Sequence, residues 1–174
     1  MSSATGLAWS TIYKSTGDSG LINVDFNNYD LEVQASGSNG GQFDIHFKFG
    51  SSGWIALEWF LSTSSSTLSV DIHASGVSSG CATDVSLTNV PVPSTYTKTW
   101  KISRDSSYLY IYCSGIQVGR FYRGSYFTCL TYSQWQSFGT GSYPIFFYTD
   151  SAVTHHYRLS RKCMNLFHDM ITVS

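Results

Sequence analysis

Tyr108, Tyr110 and Tyr112 alternate with Leu109, Ile111 and Cys113, and in an extended chain such alternation sends the two sets to opposite faces. Leu109, Ile111 and Cys113 suit a core, which leaves three tyrosines in a row on the other face. A phenol ring stacks its flat apolar face on the C–H groups of a sugar while neighbouring polar groups bind the hydroxyls. Arg120 and Arg123, with Arg104 close by, supply charge-assisted donors for an acidic sugar. Tyr108, Tyr110, Tyr112, Arg120 and Arg123 are therefore the candidate ligand-binding residues, with Tyr122, Tyr126 and Tyr132 soon after. The same face would also suit packing on a second sheet or a partner subunit, since Tyr is favoured at interfaces.

Catalytic chemistry is harder to find. No G-x-S-x-G elbow is present, and the five histidines lack the H-E-x-x-H spacing. His155 and His156 are adjacent, so from a regular strand they point to opposite faces and cannot share one metal; an exposed loop is the expected setting. Glycoside hydrolysis needs two carboxyl groups facing one sugar, and the E-x-D-x-x-E strand motif is missing. Glu58, inside Trp54-Ile55-Ala56-Leu57-Glu58-Trp59, is the one suspicious acid, because a carboxylate in an apolar strand is costly unless paired. The expectation is an outward-pointing or Arg-paired Glu58, no catalytic residues and no enzyme. Asn23, Asp25, Asn27, Asn28 and Asp30 form an oxygen-rich cluster that could attract calcium, although Asn and Asp also build turns. No metal ligands and no cofactor are expected, with calcium the one candidate.

These residues must be positioned by strands. Phe43, Ile45, Phe47 and Phe49 alternate with Asp44, His46 and Lys48, and Leu68, Val70 and Ile72 with Ser69, Asp71 and His73. Leu21 to Val33 reads as two short strands broken near Asn27-Asn28, and Trp54 to Leu61 as a central strand covered on both faces. Trp100–Arg104 and Tyr108–Cys113 form a hairpin, a turn at Ser114-Gly115 returns the chain through Ile116 to Tyr122, and Pro144–Thr149 and Tyr157–Leu159 supply the last strands. No helical period appears before residue 160. The reading is an all-β protein, an antiparallel β-sandwich or jelly roll, as one domain over residues 1–160. Residues 161–174 form a tail that reads as a short C-terminal helix, a final strand or a docking segment.

Composition agrees. The chain has 174 residues, ample for one β-domain, with 16% aromatic and only 12% charged residues. Roughly 25% charged is usual, so the surface is covered by Ser and Thr, as in secreted proteins. A net charge of -1 gives no reason to expect nucleic acid. Residues 1–97 carry Lys14 and Lys48 against eight acids, whereas residues 98–174 carry eight cations against Asp105, Asp150 and Asp169. Such asymmetry favours head-to-tail self-association or a sulfated glycan, unless the halves interleave and the charges mix. Cys81, Cys113, Cys129 and Cys163 form no C-x-x-C pair, which suits disulfides in an oxidising compartment, with three connectivities open. No stretch approaches the ~20 apolar residues of a membrane span. No apolar leader opens the chain, so a secreted protein is expected here in its mature form.

Trp100-Lys101-Ile102, then the run from Leu109 to Val118 (L-Y-I-Y-C-S-G-I-Q-V), Cys129, Trp135, the run from Ile145 to Ala152 (I-F-F-Y-T-D-S-A) and Tyr157-Arg158 together resemble an uncharacterised extracellular module of marine invertebrates. The same rhythm is loosely similar to laminin-G and concanavalin-like sandwiches. The resemblance covers residues 100–158 and implies extracellular adhesion or ligand recognition on a jelly-roll frame. It also implies a Cys113–Cys129 disulfide, worth roughly 3 kcal/mol, leaving Cys81 and Cys163 to pair or stay free.

The expected function is a secreted, lectin-like, carbohydrate-binding module whose partner is a glycan or glycoprotein and which can form homo-oligomers. A structural or adhesive matrix protein is the alternative, and a glycan-processing enzyme the third.

Overall fold

The structure is a computed structural model that describes residues 8–12, 21–37, 41–49, 53–61, 67–75, 85–91, 97–149 and 153–162. Among these residues eleven strands lie in two antiparallel sheets. They are β1 (Ser10–Ile12), β2 (Tyr29–Gly37), β3 (Gly41–Phe49), β4 (Gly53–Leu61), β5 (Thr67–Ser75), β6 (Val85–Pro91), β7 (Thr97–Arg104), β8 (Tyr108–Cys113), β9 (Ile116–Tyr122), β10 (Ile145–Thr149) and β11 (Val153–Arg161). One sheet has six strands in the order β1-β11-β2-β7-β8-β9; the other has five, β10-β3-β4-β5-β6. The expected all-β antiparallel sandwich is the observed architecture, and β4 is the central strand of its sheet.

Alternation along the strands builds the core. Leu31 and Val33 of β2, Trp100 and Ile102 of β7, Leu109 and Ile111 of β8 and Phe121 of β9 belong to one buried cluster with Ile45 and Phe47 of β3 and Ile55 and Leu57 of β4. The turn between β8 and β9 is set by Ser114 at φ 48 and Gly115 at φ 86. Positive φ at both central residues is the two-residue hairpin turn whose twist matches the strands it joins. At the β7–β8 turn, Asp105 Oδ1 accepts from the Ser107 and Tyr108 amides, both at 2.7 Å.

Several elements differ from expectation. The first of the two expected strands near Asn27-Asn28 is reduced to a bridge between Ile22 and Ile145. Two short helices, α1 (Arg123–Tyr126) and α2 (Tyr132–Gln136), follow β9; at four and five residues they are too short to show a helical period. Helix α2 starts at a reciprocal cap, in which Thr131 Oγ1 accepts from the Gln134 amide at 3.2 Å and Gln134 Oε1 from the Thr131 amide at 2.8 Å. The segment contributes Phe127, Leu130, Trp135 and Phe138 to the core, and Phe138 stacks on Phe47 at 4.2 Å and 10°. His155 and His156 lie within β11, opposite Ala35 and Gln34, rather than in a loop, because β11 extends well beyond Tyr157–Leu159.

The expected Cys113–Cys129 disulfide is absent. Cys113 is free and buried on the inward face of β8, while Cys129 is disulfide-bonded to a different cysteine. Cys81, Cys163 and the tail beyond Lys162 lie outside the described residues. Burial pushes the Cys113 thiol up to about 11, and a thiol so shielded is unreactive. Iodoacetamide at pH 8 is expected to leave Cys113 unlabelled in the native protein and to label it fully on unfolding without reductant. Mass spectrometry reads both, and no label after unfolding would mean that the thiol is bonded.

Candidate functional site

Both sheets present an outer face bearing aromatic and polar side chains. On the six-stranded sheet, Tyr108, Tyr110 and Tyr112 are half-buried while Leu109, Ile111 and Cys113 are buried, so the tyrosines do face away from the core. Their rings run in sequence, with Tyr108 5.8 Å from Tyr110 and Tyr110 6.4 Å from Tyr112. Tyr122, opposite Tyr108 on β9, extends the ladder at 5.3 Å. The Arg120 guanidinium lies 4.8 Å from the Tyr108 ring centre and the Lys101 ammonium 4.3 Å from that of Tyr112.

Tyr110 donates its hydroxyl to Asp105 Oδ2 at 2.7 Å. Loss of hydration and that bond push the phenol up to about 12. For Asp105, burial works to raise the carboxyl, but the Tyr110 hydroxyl and the two backbone amides outweigh it and hold the group below its ordinary value. Farther across the sheet, Arg158 binds Glu32 at 2.6 Å and lies 4.4 Å over the Trp9 ring. Asp30 is 3.7 Å from Lys162 and 3.9 Å from Lys101.

The structure thus joins Tyr108, Tyr110, Tyr112 and Arg120 on one face and separates Arg123 from them. Arg123 opens α1, donates to the Leu130 carbonyl at 3.5 Å and lies 5.7 Å from the Tyr132 ring. Arg104 is unavailable as well. It points inward from β7, is 2% exposed, and donates to the Trp135 carbonyl, to Asn27 Oδ1 at 2.9 Å and to the Gln136 carbonyl at 3.2 Å.

The five-stranded sheet carries the second group. His46 on β3 hydrogen-bonds through Nε2 to Asp44 Oδ2 at 3.1 Å. Aromatic rings surround it: Phe146 of β10 at 4.6 Å, Trp54 of β4 at 4.8 Å and Tyr148 of β10 at 6.4 Å. With Nε2–H donating to the carboxylate, Nδ1 is left as an acceptor, and it is buried with no hydrogen-bond partner among the described residues. Pairing of the strands produces the cluster, since His46 lies opposite Phe146 and Asp44 opposite Tyr148. On the other side Asp44 is paired with Glu58 and Glu58 with Asp71, so three neighbouring strands bring acids into one transverse row. The Glu58 and Asp71 side chains lie outside the described residues.

The oxygen-rich segment before β2 is a closed turn. Asp25 Oδ1 accepts from the Asn27 amide at 3.0 Å and Oδ2 from the Asn28 side-chain amide at 2.6 Å. The Asn28 bond, partly opposed by burial, holds the Asp25 carboxyl below its ordinary value. Among the described residues no three His, Cys, Asp or Glu side chains converge as a metal site.

Antiparallel sandwiches of this kind recur among solved structures. An Aspergillus kawachii β-fructofuranosidase matches 98% of this chain at 14% identity with a TM-score of 0.54, and this chain spans only 29% of that protein. A Caenorhabditis elegans galectin is similar over 87% of this chain and 95% of its own, at 12% identity and a TM-score of 0.48. The laminarinase catalytic domain of Thermotoga maritima is similar over 83% of this chain and 66% of its own, at 16% identity and a TM-score of 0.44. No family model and no curated protein matches the chain. Likeness at these identities concerns the fold alone.

Proposed function

We propose that this chain is an extracellular, lectin-like, carbohydrate-binding module whose site is the outer face of the five-stranded sheet. One observation carries the reading: Trp54, Phe146 and Tyr148 surround the Asp44–His46 pair on a face turned away from the core. Aromatic planes offer the C–H faces of a sugar a stacking surface, and the imidazole beside them, held by the buried Asp44, suits its hydroxyls. The tyrosine ladder of the other sheet has less to offer a neutral sugar, because the Tyr110 hydroxyl is spent on Asp105 and cations already lie over two of its rings. The disulfide at Cys129 supports an oxidising, extracellular setting.

The test is a glycan array with the oxidised protein, with and without calcium. Trp54→Ala is expected to weaken binding about tenfold or more, since losing a stacked ring costs on the order of 1 kcal/mol beyond its area, with an unchanged melting temperature as the folding control. A blank array would sink the reading and leave a structural or adhesive protein.

A second reading, glycoside hydrolysis, is favoured by the row Asp44–Glu58–Asp71. Release of reducing ends from a bound glycan, lost in Glu58→Gln, would replace binding with catalysis as the function.

A further inference from the structure

The charge asymmetry of the sequence does not mix in the fold. Six of the ten Lys and Arg residues lie on strands of the six-stranded sheet; Lys98 and Arg104 are buried, which leaves Lys101, Arg120, Arg158 and Arg161 against Asp30 and Glu32. On strands of the five-stranded sheet Lys48 is set against Asp44, Glu58 and Asp71. The halves segregate because residues 41–91 form four of the five strands of one sheet, whereas β7, β8, β9 and β11 all join the other. The outer face of the six-stranded sheet is therefore basic.

On the basic side the anions are already engaged. Glu32 is held by Arg158, Asp30 lies between Lys162 and Lys101, and the Asp105 carboxylate accepts from Tyr110 and two backbone amides. Among the described residues Arg120 has no carboxylate partner, and its guanidinium lies over the Tyr108 ring. Lys101 lies over Tyr112 with Asp30 a distant 3.9 Å away. A cation thus caps each end of the tyrosine ladder. From Tyr108 to Tyr112 is four residues of strand, about 14 Å at roughly 3.4 Å per residue, which fits an extended chain better than a single small ring.

We propose that this face binds an acidic polysaccharide, a linear glycan bearing repeated sulfate or carboxylate groups. Arg120 and Lys101 would neutralise its anions by charge-assisted hydrogen bonds, and the exposed Tyr122, over which no cation lies among the described residues, would stack against a sugar ring. This site is on the opposite side of the sandwich from the Trp54 cluster and stands independently of it. Attraction between exposed charges is screened by salt over a Debye length of about 10 Å at 0.1 M, so binding should weaken steeply as salt rises.

Immobilised heparin and chemically desulfated heparin, compared at 50 and 300 mM NaCl, give the test. Expected are binding to heparin, at least tenfold weaker binding to the desulfated polymer and at 300 mM salt, and at least tenfold loss in the double variant Lys101→Glu/Arg120→Glu. Trp54→Ala should bind heparin as the parent does, and the double variant should retain any neutral-glycan binding lost in Trp54→Ala. Both substitutions are on a solvent-facing surface, and circular dichroism with thermal melting verifies the fold. Equal affinity for heparin and its desulfated form would overturn the proposal, as would heparin binding unaffected by the double variant. Multimers at low salt that this variant disperses, with no heparin binding, would assign the face to a second copy of the chain and also overturn it.

Discussion

Arg104→Met is expected to lower the melting temperature by about 10 °C. The guanidinium is enclosed where β7 ends, where it supplies the donors for three acceptors brought from elsewhere: the Trp135 and Gln136 carbonyls of α2 and the Asn27 side chain of the turn before β2. Its central carbon is 5.6 Å from the Trp135 ring centre, and the Trp135 indole donates to the Asp105 carbonyl at 2.9 Å. Loss of hydration lowers the pKa of Arg104, countered by attraction to Asp25 and Asp105, yet an arginine remains charged throughout the physiological range. Methionine preserves much of the volume but no donor, so buried acceptors are left unpaired. Each buried acceptor left unpaired costs about 1–3 kcal/mol, and about 2–4 °C of melting temperature accompanies each kcal/mol in a chain of this size. Arg104→Lys should fall between parent and methionine, because it keeps the charge but loses the planar fork. Differential scanning calorimetry decides; a methionine variant melting within 2 °C of the parent would mean that the clasp contributes nothing.

The clasp shows where sequence reasoning stops. Trp100, Ile102 and Arg104 share one parity on β7, so the alternation that separates Tyr108, Tyr110 and Tyr112 from the core also puts Arg104 on the inward face. Nothing local to Arg104 announces its acceptors, which lie 31, 32 and 77 residues away. Without them Arg104 resembles any exposed cation near the tyrosines. Arg123 misleads for the opposite reason, since it follows β9 directly but belongs to a four-residue helix with no periodic signature. The readable sign of α2 is the Thr131–Gln134 spacing of its cap, which competes poorly with the surrounding strand pattern.

The Trp54 cluster is legible only in fragments. Alternation puts Asp44 and His46 on one wet face of β3, and Glu58 stands out as an acid in an apolar strand. Their convergence depends on strand order, which one sequence does not express: Phe146 and Tyr148 reach His46 and Asp44 across 100 or more residues because β10 pairs with β3 rather than with a sequential neighbour. The tyrosine ladder needs only a strand and a two-residue turn, both local, and its membership survives nearly intact.

Gly139→Ala should destabilise the fold by about 3 kcal/mol or more and lower the melting temperature by roughly 10 °C. Gly139 joins the helical segment to the strand-like stretch before β2, accepting from the Val24 amide at 2.8 Å and donating to the Tyr143 carbonyl at 3.0 Å. Its φ is +100, and a β-carbon there would stand 2.6 Å from the Val24 carbonyl oxygen and 2.8 Å from the Phe26 ring. An unfavourable backbone conformation costs about 1–3 kcal/mol by itself, and the collision adds to it because the nearest atom is backbone in a packed region and cannot swing away. Gly141 provides the comparison, since its φ is +58 and a β-carbon added there would meet nothing within 4 Å. Gly141→Ala therefore meets only the left-handed penalty of about 1–2 kcal/mol, a shift of a few degrees. Thermal melting of the two variants side by side separates conformation from crowding: a Gly139 variant markedly less stable than the Gly141 variant supports close packing of Val24 and Phe26 against the loop, and equal losses would remove the steric contribution altogether.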